Sequence, residues 1–504
     1  MIKRLLRIHF IILTCLLLFN CQKSNSGSLE IVKPGENATL RRTVNIEVHA
    51  DGLDDIQSVQ LFLDDEQLVE LNAAPFKYAW NTRDFENGAH DLSAKAVILD
   101  GDDLRSDAVN VTISNTLVTG VFTNDWICNT CNQGALVVTD RHGSLLGQAS
   151  WTGNDTVRLA AVNTTRPDTG YIDVTTVRYD GIGNISITTY LDIEGGDLLR
   201  YKGLPRVHLQ AFDYMRFSFS NIPSHSGWSI SNGFADVWVN PGQIQSSQNV
   251  RNYVGNASVY LQLSNTGTGS KYLWLPDQSS GTINVDLGNL AATSSRIIQY
   301  PSGISQSRAV LYGYLEEESY YSGTFLLDRR RIMDTAANTM TVHPPPSIMA
   351  DYKTWMYYYA DGGWFYNTVF GDIPESFNRT GADLDFTSAE KDNFEISTSG
   401  QFDQTRALWR HSRPSGNVDW NVYGSADRLS YSLPILPELV TDLFPDIHRD
   451  QMALVLVDLI DYSELETYRD VIDTRFHTGE YFNTYVRESR TRSKDAPGIP
   501  LAQN

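Results

Sequence analysis

Cysteine is scarce in this chain, 4 among 504 residues. Cys15 lies inside a short apolar leader and Cys21 at its end, so the body of the protein keeps only Cys128 and Cys131. A zinc site needs four ligands, and no second cysteine pair completes one. Long apolar runs are missing as well. The best, Ile8 to Phe19, holds about twelve residues where a bilayer span needs roughly 20. Basic charge is in deficit, 40 Lys and Arg against 60 Asp and Glu, for a net charge of −20. Such a surface repels phosphate backbones, which argues against nucleic acid as a partner. Catalytic signatures are absent too: no G-x-S-x-G, no H-E-x-x-H, no phosphate loop and no dinucleotide fingerprint. The 10 histidines are scattered, none at the helical spacing of metal ligands. No cofactor is expected.

What is present begins at the amino terminus. Lys3, Arg4 and Arg7 precede the apolar run, which suits a secretory leader rather than a membrane span. No small-x-small cleavage site follows it. Leu18-Phe19-Asn20-Cys21 instead resembles a bacterial lipobox, with Asn20 and Phe19 departing from the usual small residues. That resemblance implies removal of residues 1–20 and acylation of Cys21. Two or more acyl chains, at about 0.8 kcal/mol per buried CH₂, hold a protein firmly on a membrane. Gln22 after the cysteine is not the Asp of the inner-membrane pattern, so the expected location is the cell envelope, lipid-anchored, at the outer membrane. Residues 21–28 are small and polar and read as a tether.

Apolar content of 41% and charged content of 20% are globular values. Short alternating runs dominate, so the expected class is all-β, with a few short helices near the carboxyl terminus. The clearest module is residues 29–115. Val44, Ile46 and Val48 alternate, as do Val59, Leu61 and Leu63, then Leu92, Ala94, Ala96 and Ile98, then Val109, Val111 and Ile113. Each set places alternate side chains on one face of a strand. Asp51-Gly52, Asp64-Asp65, Asn87-Gly88 and Asp100-Gly101 separate them as turns. The opening Ile31-Val32-Lys33-Pro34-Gly35-Glu36-Asn37, the run Val59 to Asp65, and Ala74-Pro75-Phe76-Lys77-Tyr78-Ala79-Trp80 together resemble bacterial Ig-like domains. The resemblance implies a β-sandwich used as a spacer or adhesive module, with Trp80 in its core and no catalysis. Asp100, Asp102 and Asp103 look calcium-like but lack the terminal Glu of a full binding loop.

Residues 116–343 continue as a β-rich region of one or two modules. Gly134 to Asp140 and Ser144 to Gly147 flank an Arg141-His142-Gly143 turn and predict a hairpin. Cys128 and Cys131 stand in a C-x-x-C that fits a tight disulfide, half a metal site or a redox pair; in an all-β envelope protein the disulfide is favoured. Pro344-Pro345-Pro346 is a stiff break, after which residues 347–486 form a last β-rich module. Leu436 to Phe444 and Asp461 to Phe476 suit short helices, and Met452 to Val457 a buried strand. Residues 487–504, dense in Arg, Lys, Asp, Gly and Pro, are expected to fray.

One segment carries a functional expectation. Trp355 to Tyr366 reads as two aromatic strands joined by Asp361-Gly362-Gly363. Trp355, Tyr357 and Tyr359 share one face, with Trp364 and Tyr366 on the returning strand; Met356 and Tyr358 take the other face. If one face meets water, these rings can stack on sugars or anchor a protein. The alternative is a strand pair packed on both sides. The reading that results is a membrane-held, non-enzymatic envelope protein that binds glycan or protein. Its rival is an anchored hydrolase of polysaccharide or peptide, which requires two facing carboxylates about 5 to 9.5 Å apart.

Overall fold

A computed structural model describes residues 27–99, 102–123, 126, 133–160, 170–179, 183–202, 212–239, 246–264, 269–320, 323–332, 338–478 and 482–498. The leader, Cys21, Cys128 and Cys131 lie outside these residues. Strand accounts for 60% of the chain and helix for 7%, so the protein is all-β. It divides into two compact units, one ending at Thr116 and one starting at Leu117. No helix among the described residues is long and apolar enough to cross a membrane.

The first unit is a two-layer sandwich. One layer pairs Ser28–Lys33, Thr43–Asp51 and Lys77–Asn81. The other orders Ala38–Leu40, Val109–Ile113, Gly88–Ile98, Ile56–Leu63 and Glu66–Leu71. The alternating residues meet between the layers, where Ile46, Val59, Leu61, Trp80, Leu92 and Ala94 are fully buried. Asp64 and Asp65 both take positive φ, 49° and 67°, and close the hairpin between Ile56–Leu63 and Glu66–Leu71. Beyond it, Asp103 is bound by Lys95 at 2.5 Å. Asp100 lies outside the described residues.

The second unit is organised on one 12-stranded sheet. Its strands are β1 (Gln133–Thr139), β2 (Leu145–Thr152), β3 (Tyr171–Tyr179), β4 (Ile185–Glu194), β5 (Gln306–Tyr314), β6 (Phe325–Ile332), β7 (Asp351–Ala360), β8 (Gly363–Gly371), β9 (Gln404–Arg413), β10 (Gly416–Gly424), β11 (Ala453–Tyr462) and β12 (Glu488–Asp495). Their spatial order is β2-β1-β3-β4-β10-β9-β11-β12-β8-β7-β5-β6. All neighbours are antiparallel except β4 and β10, which run parallel. The expected 134–147 hairpin is β1 and β2.

Two expectations about the second unit are corrected. The triproline does not divide the sheet: β5, before it, pairs along its whole length with β7, after it, and β4 likewise pairs with β10. A turn between strands and a linker between modules carry the same proline signal, and here it is the former. Nor does 487–504 fray from its start, because β12 lies mid-sheet between β11 and β8. Its charges are partnered: Arg490 with Asp461 on the neighbouring strand and Glu488 on its own, and Arg492 and Lys494 with Asp383 and Asp385 on the separate strand Asp383–Glu390. Paired charge in a strand looks, in sequence, like a solvated tail.

Near β1–β4 both faces of the sheet are covered. A three-stranded sheet (Thr116–Phe122, Asp155–Ala160, Asp197–Tyr201) and helix α2 (Tyr468–Phe476) cover one face, with Phe122, Val138, Trp151, Ile172 and Ile472 between. Helix α1 (Glu438–Leu443) and the strands Asp383–Glu390 and Asn393–Ser399 cover the other, around Trp409, Trp420, Val457 and Phe444. Toward β5–β8 this second face continues over Met356, Tyr358 and Phe365, packed against Ile298, Met340 and Val342. A further sandwich built on residues 213–292 encloses Met215, Phe217, Ile230 and Leu261.

Candidate functional site

The Asp361-Gly362 turn sets the site. Both residues take positive φ, 48° and 74°, the backbone a two-residue hairpin needs, so Ala360 faces Gly363 and the register of β7 and β8 is pinned. Tyr359 then opposes Trp364, and Tyr357 opposes Tyr366. With a two-residue side-chain period, Trp355, Tyr357, Tyr359, Trp364 and Tyr366 share one face and are half-buried, while Met356, Tyr358 and Phe365 fill the core beneath. The structure brings all five candidate rings together. Their centroids lie 5.1 Å (Trp355–Tyr357), 5.6 Å (Tyr357–Trp364), 6.1 Å (Tyr357–Tyr366) and 5.2 Å (Tyr359–Trp364) apart, each pair tilted or edge-on. Arg308 on β5 stands 5.9 Å from the centre of Tyr357.

The rings belong to a longer arrangement. Following directly opposed residues across the sheet gives one transverse row: Gln306, Tyr359, Trp364, Ser493, Asp458, Arg406, Tyr423 and Tyr190. A second row beside it runs Arg308, Tyr357, Tyr366, Thr491, Ile460 and Gln404. Strands stand about 4.8 Å apart, so Gln306 to Arg406 spans roughly 24 Å. At its far end the first row passes under α2, where the Tyr190 ring stacks on Tyr423 and meets Phe476 edge-on. Thr467 and Asp470 cap α2 reciprocally and fix its start.

The centre of the row is electrostatically closed. Arg406 Nη2 lies 2.5 Å from Asp458 Oδ2, with the Asp458 side chain buried and the Arg406 side chain about one-third exposed. Burial pushes the Asp458 carboxyl up, and the Arg406 charge opposes this. Burial also raises Asp495. Tyr366 is pushed up to about 12, first by burial and then by the charges of Asp458 and Asp495. Three buried atoms here make no hydrogen bond: Asp458 Oδ1, Arg406 Nε and Gln404 Nε2. Among the described residues, no cluster of three or more His, Cys, Asp or Glu is placed to hold a metal ion.

Sequence reading found the rings and missed their partners. Arg406, Asp458, Tyr423 and Ser493 come from four other strands and meet only through pairing. One signal was available: Asp458 interrupts the apolar run from Ala453 to Ile460, and a carboxylate in a buried strand requires a partner.

Residues 28–94 match a family described as a bacterial Ig domain. The first unit thus contains a bacterial Ig-like domain. No curated protein matches the chain. Among solved structures, it is similar to the fibronectin(III)-like modules of Clostridium thermocellum CbhA, at 21% identity and a TM-score of 0.16, over 17% of this chain and 93% of that one. In the Ig-like domain the polar groups serve the fold. Asp64 accepts from the Asp91 backbone N–H at 2.9 Å and sits 2.6 Å from His90 Nδ1. Burial would raise the Asp64 carboxyl, but these two contacts outweigh it and hold it below its usual value. An Ig-like domain is a structural or binding module; the ring-bearing face, on β7 and β8, lies in the second unit.

Proposed function

We propose that this is a lipid-anchored envelope protein that binds a ligand without transforming it. The Ig-like domain serves as spacer next to the membrane, and the second unit presents the binding face. One observation carries the binding role: five aromatic side chains keep part of their surface exposed on one face of β7 and β8, while the face beneath is packed. Rings with polar edges held at a rigid strand pair are the side chains that dominate recognition of sugars and proteins. The anchor rests on Lys3, Arg4, Arg7, the apolar run and Cys21, and the outer membrane is the favoured location.

The test has two arms. Wild-type protein and the Cys21→Ser variant are expressed with a radiolabelled fatty acid and partitioned in detergent. Label and detergent-phase recovery for wild type, both lost in the variant, support the anchor; identical behaviour refutes it. Full-length protein on beads, with Tyr357→Ala/Trp364→Ala as control, is offered envelope extract. A ligand retained by wild type and not by the double variant supports the binding face, and equal retention refutes it.

Asp458 and Asp495 favour a second reading. Both carboxyls are raised by burial and lie on the ring-bearing side of adjacent strands, the kind of environment that hydrolytic acids use. Release of reducing ends or peptides from envelope material, abolished by Asp495→Asn, would establish a hydrolase in place of a binding protein.

A further inference from the structure

The two transverse rows also indicate what chemistry the face takes, an inference that rests on the binding reading above. We propose that the rows bind a linear, uncharged polysaccharide laid across the strands of the sheet.

Three features of the face converge on such a ligand. The first is shape. Directly opposed residues make a track across β5, β7, β8, β12, β11 and β9, about 24 Å long between Gln306 and Arg406, which suits an extended chain rather than a compact molecule. The second is the rings. None of the four contacts among the five is face to face, so a neighbour's edge leaves a ring face for the flat C–H side of a sugar.

The third is hydrogen bonding. Asp458 Oδ1 is an acceptor without a donor, and Arg406 Nε and Gln404 Nε2 are donors without acceptors. Buried polar atoms are ordinarily satisfied, directly or through a bridging water. All three lie beneath the surface, but the Arg406 side chain that pairs with Asp458 is about one-third exposed, and a hydroxyl, which both donates and accepts, suits that polar edge. A carboxylate or phosphate polymer would bring charge that this paired edge does not call for. It would also meet Asp458, Asp495 and a chain of net charge −20. The Arg406–Asp458 pair cancels its own charge, which again selects a neutral ligand.

The test is affinity electrophoresis of detergent-solubilised full-length protein through gels containing single polysaccharides. The neutral probes are hydroxyethylcellulose, xylan, galactomannan and a linear β-1,3-glucan; the charged probes are alginate and hyaluronan. Retardation by at least one neutral probe and by neither charged probe is expected. Affinity for oligosaccharides of the active probe should rise with length until they span about 24 Å. Trp364→Ala and Tyr357→Ala should each weaken binding about tenfold, while Trp364→Phe, which keeps a ring, should stay within about threefold. Melting curves confirm that each variant is folded. Retardation by no neutral probe, equal retardation by alginate, or unchanged affinity in a folded Trp364→Ala protein overturns the proposal. Capture of an envelope protein through the same face, with no polysaccharide bound, overturns this inference and leaves the broader binding reading standing.

Discussion

Arg406 and Asp458, on neighbouring strands β9 and β11, form an ion pair at 2.5 Å, the aspartate buried and the arginine about one-third exposed. Removing one member of a buried pair strands the other charge and costs about 3–5 kcal/mol. Arg406 keeps some contact with water, so Asp458→Asn should cost less, about 2–3 kcal/mol. Arg406→Met/Asp458→Leu should recover most of that loss, because two apolar groups leave nothing unpaired. Urea denaturation of wild type, Arg406→Met, Asp458→Leu and the double variant closes a double-mutant cycle and measures the coupling.

Asp403 gives the second unit a pH dependence. Its carboxylate accepts from the Tyr462 backbone N–H at 2.7 Å, at the junction of β9 and β11. Burial pushes it up to about 6, and the nearby Asp461 and Asp470 charges add to the rise, against the Tyr462 bond. A carboxyl whose folded value is raised binds protons more tightly when folded. Its contribution is therefore full below the unfolded value near 3.8 and is lost as pH climbs to about 6. Asp403→Asn, which keeps an acceptor and has no charge, should gain about 2 kcal/mol over wild type at pH 7 and nothing at pH 3.5. Urea midpoints at the two pH values check both sign and window.

Trp420 locks the parallel junction between β4 and β10. Its indole N–H donates to Thr189 Oγ1 at 2.8 Å, and Thr189 also meets Thr175 at 2.8 Å. All three side chains are buried. Thr189→Val keeps the shape but leaves the indole unpaired, for an expected loss of about 1–3 kcal/mol. Trp420→Ala opens a cavity and should cost about 3–5 kcal/mol. Guanidinium unfolding followed by tryptophan fluorescence separates the two.

How much was legible follows from the range of each signal. Alternation is a property of neighbouring residues, so the Ig-like strands, the 134–147 hairpin and the aromatic hairpin at 355–366 could be read directly. The Asp361-Gly362-Gly363 signal marked the turn, but that Gly363 pairs with Ala360, and so which rings oppose which, is seen only in the fold. Long-range pairing leaves no such trace. Nothing local says that Ile185 to Tyr190 will lie beside Val418 to Tyr423, or that Glu488–Asp495 will enter mid-sheet. Hence the triproline looks, in sequence, like a module break and the charged end like a frayed tail. The site divided in the same way: the rings, near in sequence, were found, while Arg406, Asp458 and Ser493 were not, because β9, β11 and β12 bring them together only in the folded sheet.

The account stands on the ring-bearing rows being the working surface of the second unit. Hydroxyl-radical footprinting of the full-length protein, alone and with the polysaccharide that retards it most, measures this residue by residue. Free protein should oxidise at Tyr357, Tyr359 and Trp364 and resist at Met356, Tyr358 and Phe365, and ligand should suppress oxidation along the rows. Unchanged oxidation of those three rings, or protection confined to the Ig-like domain, would contradict it.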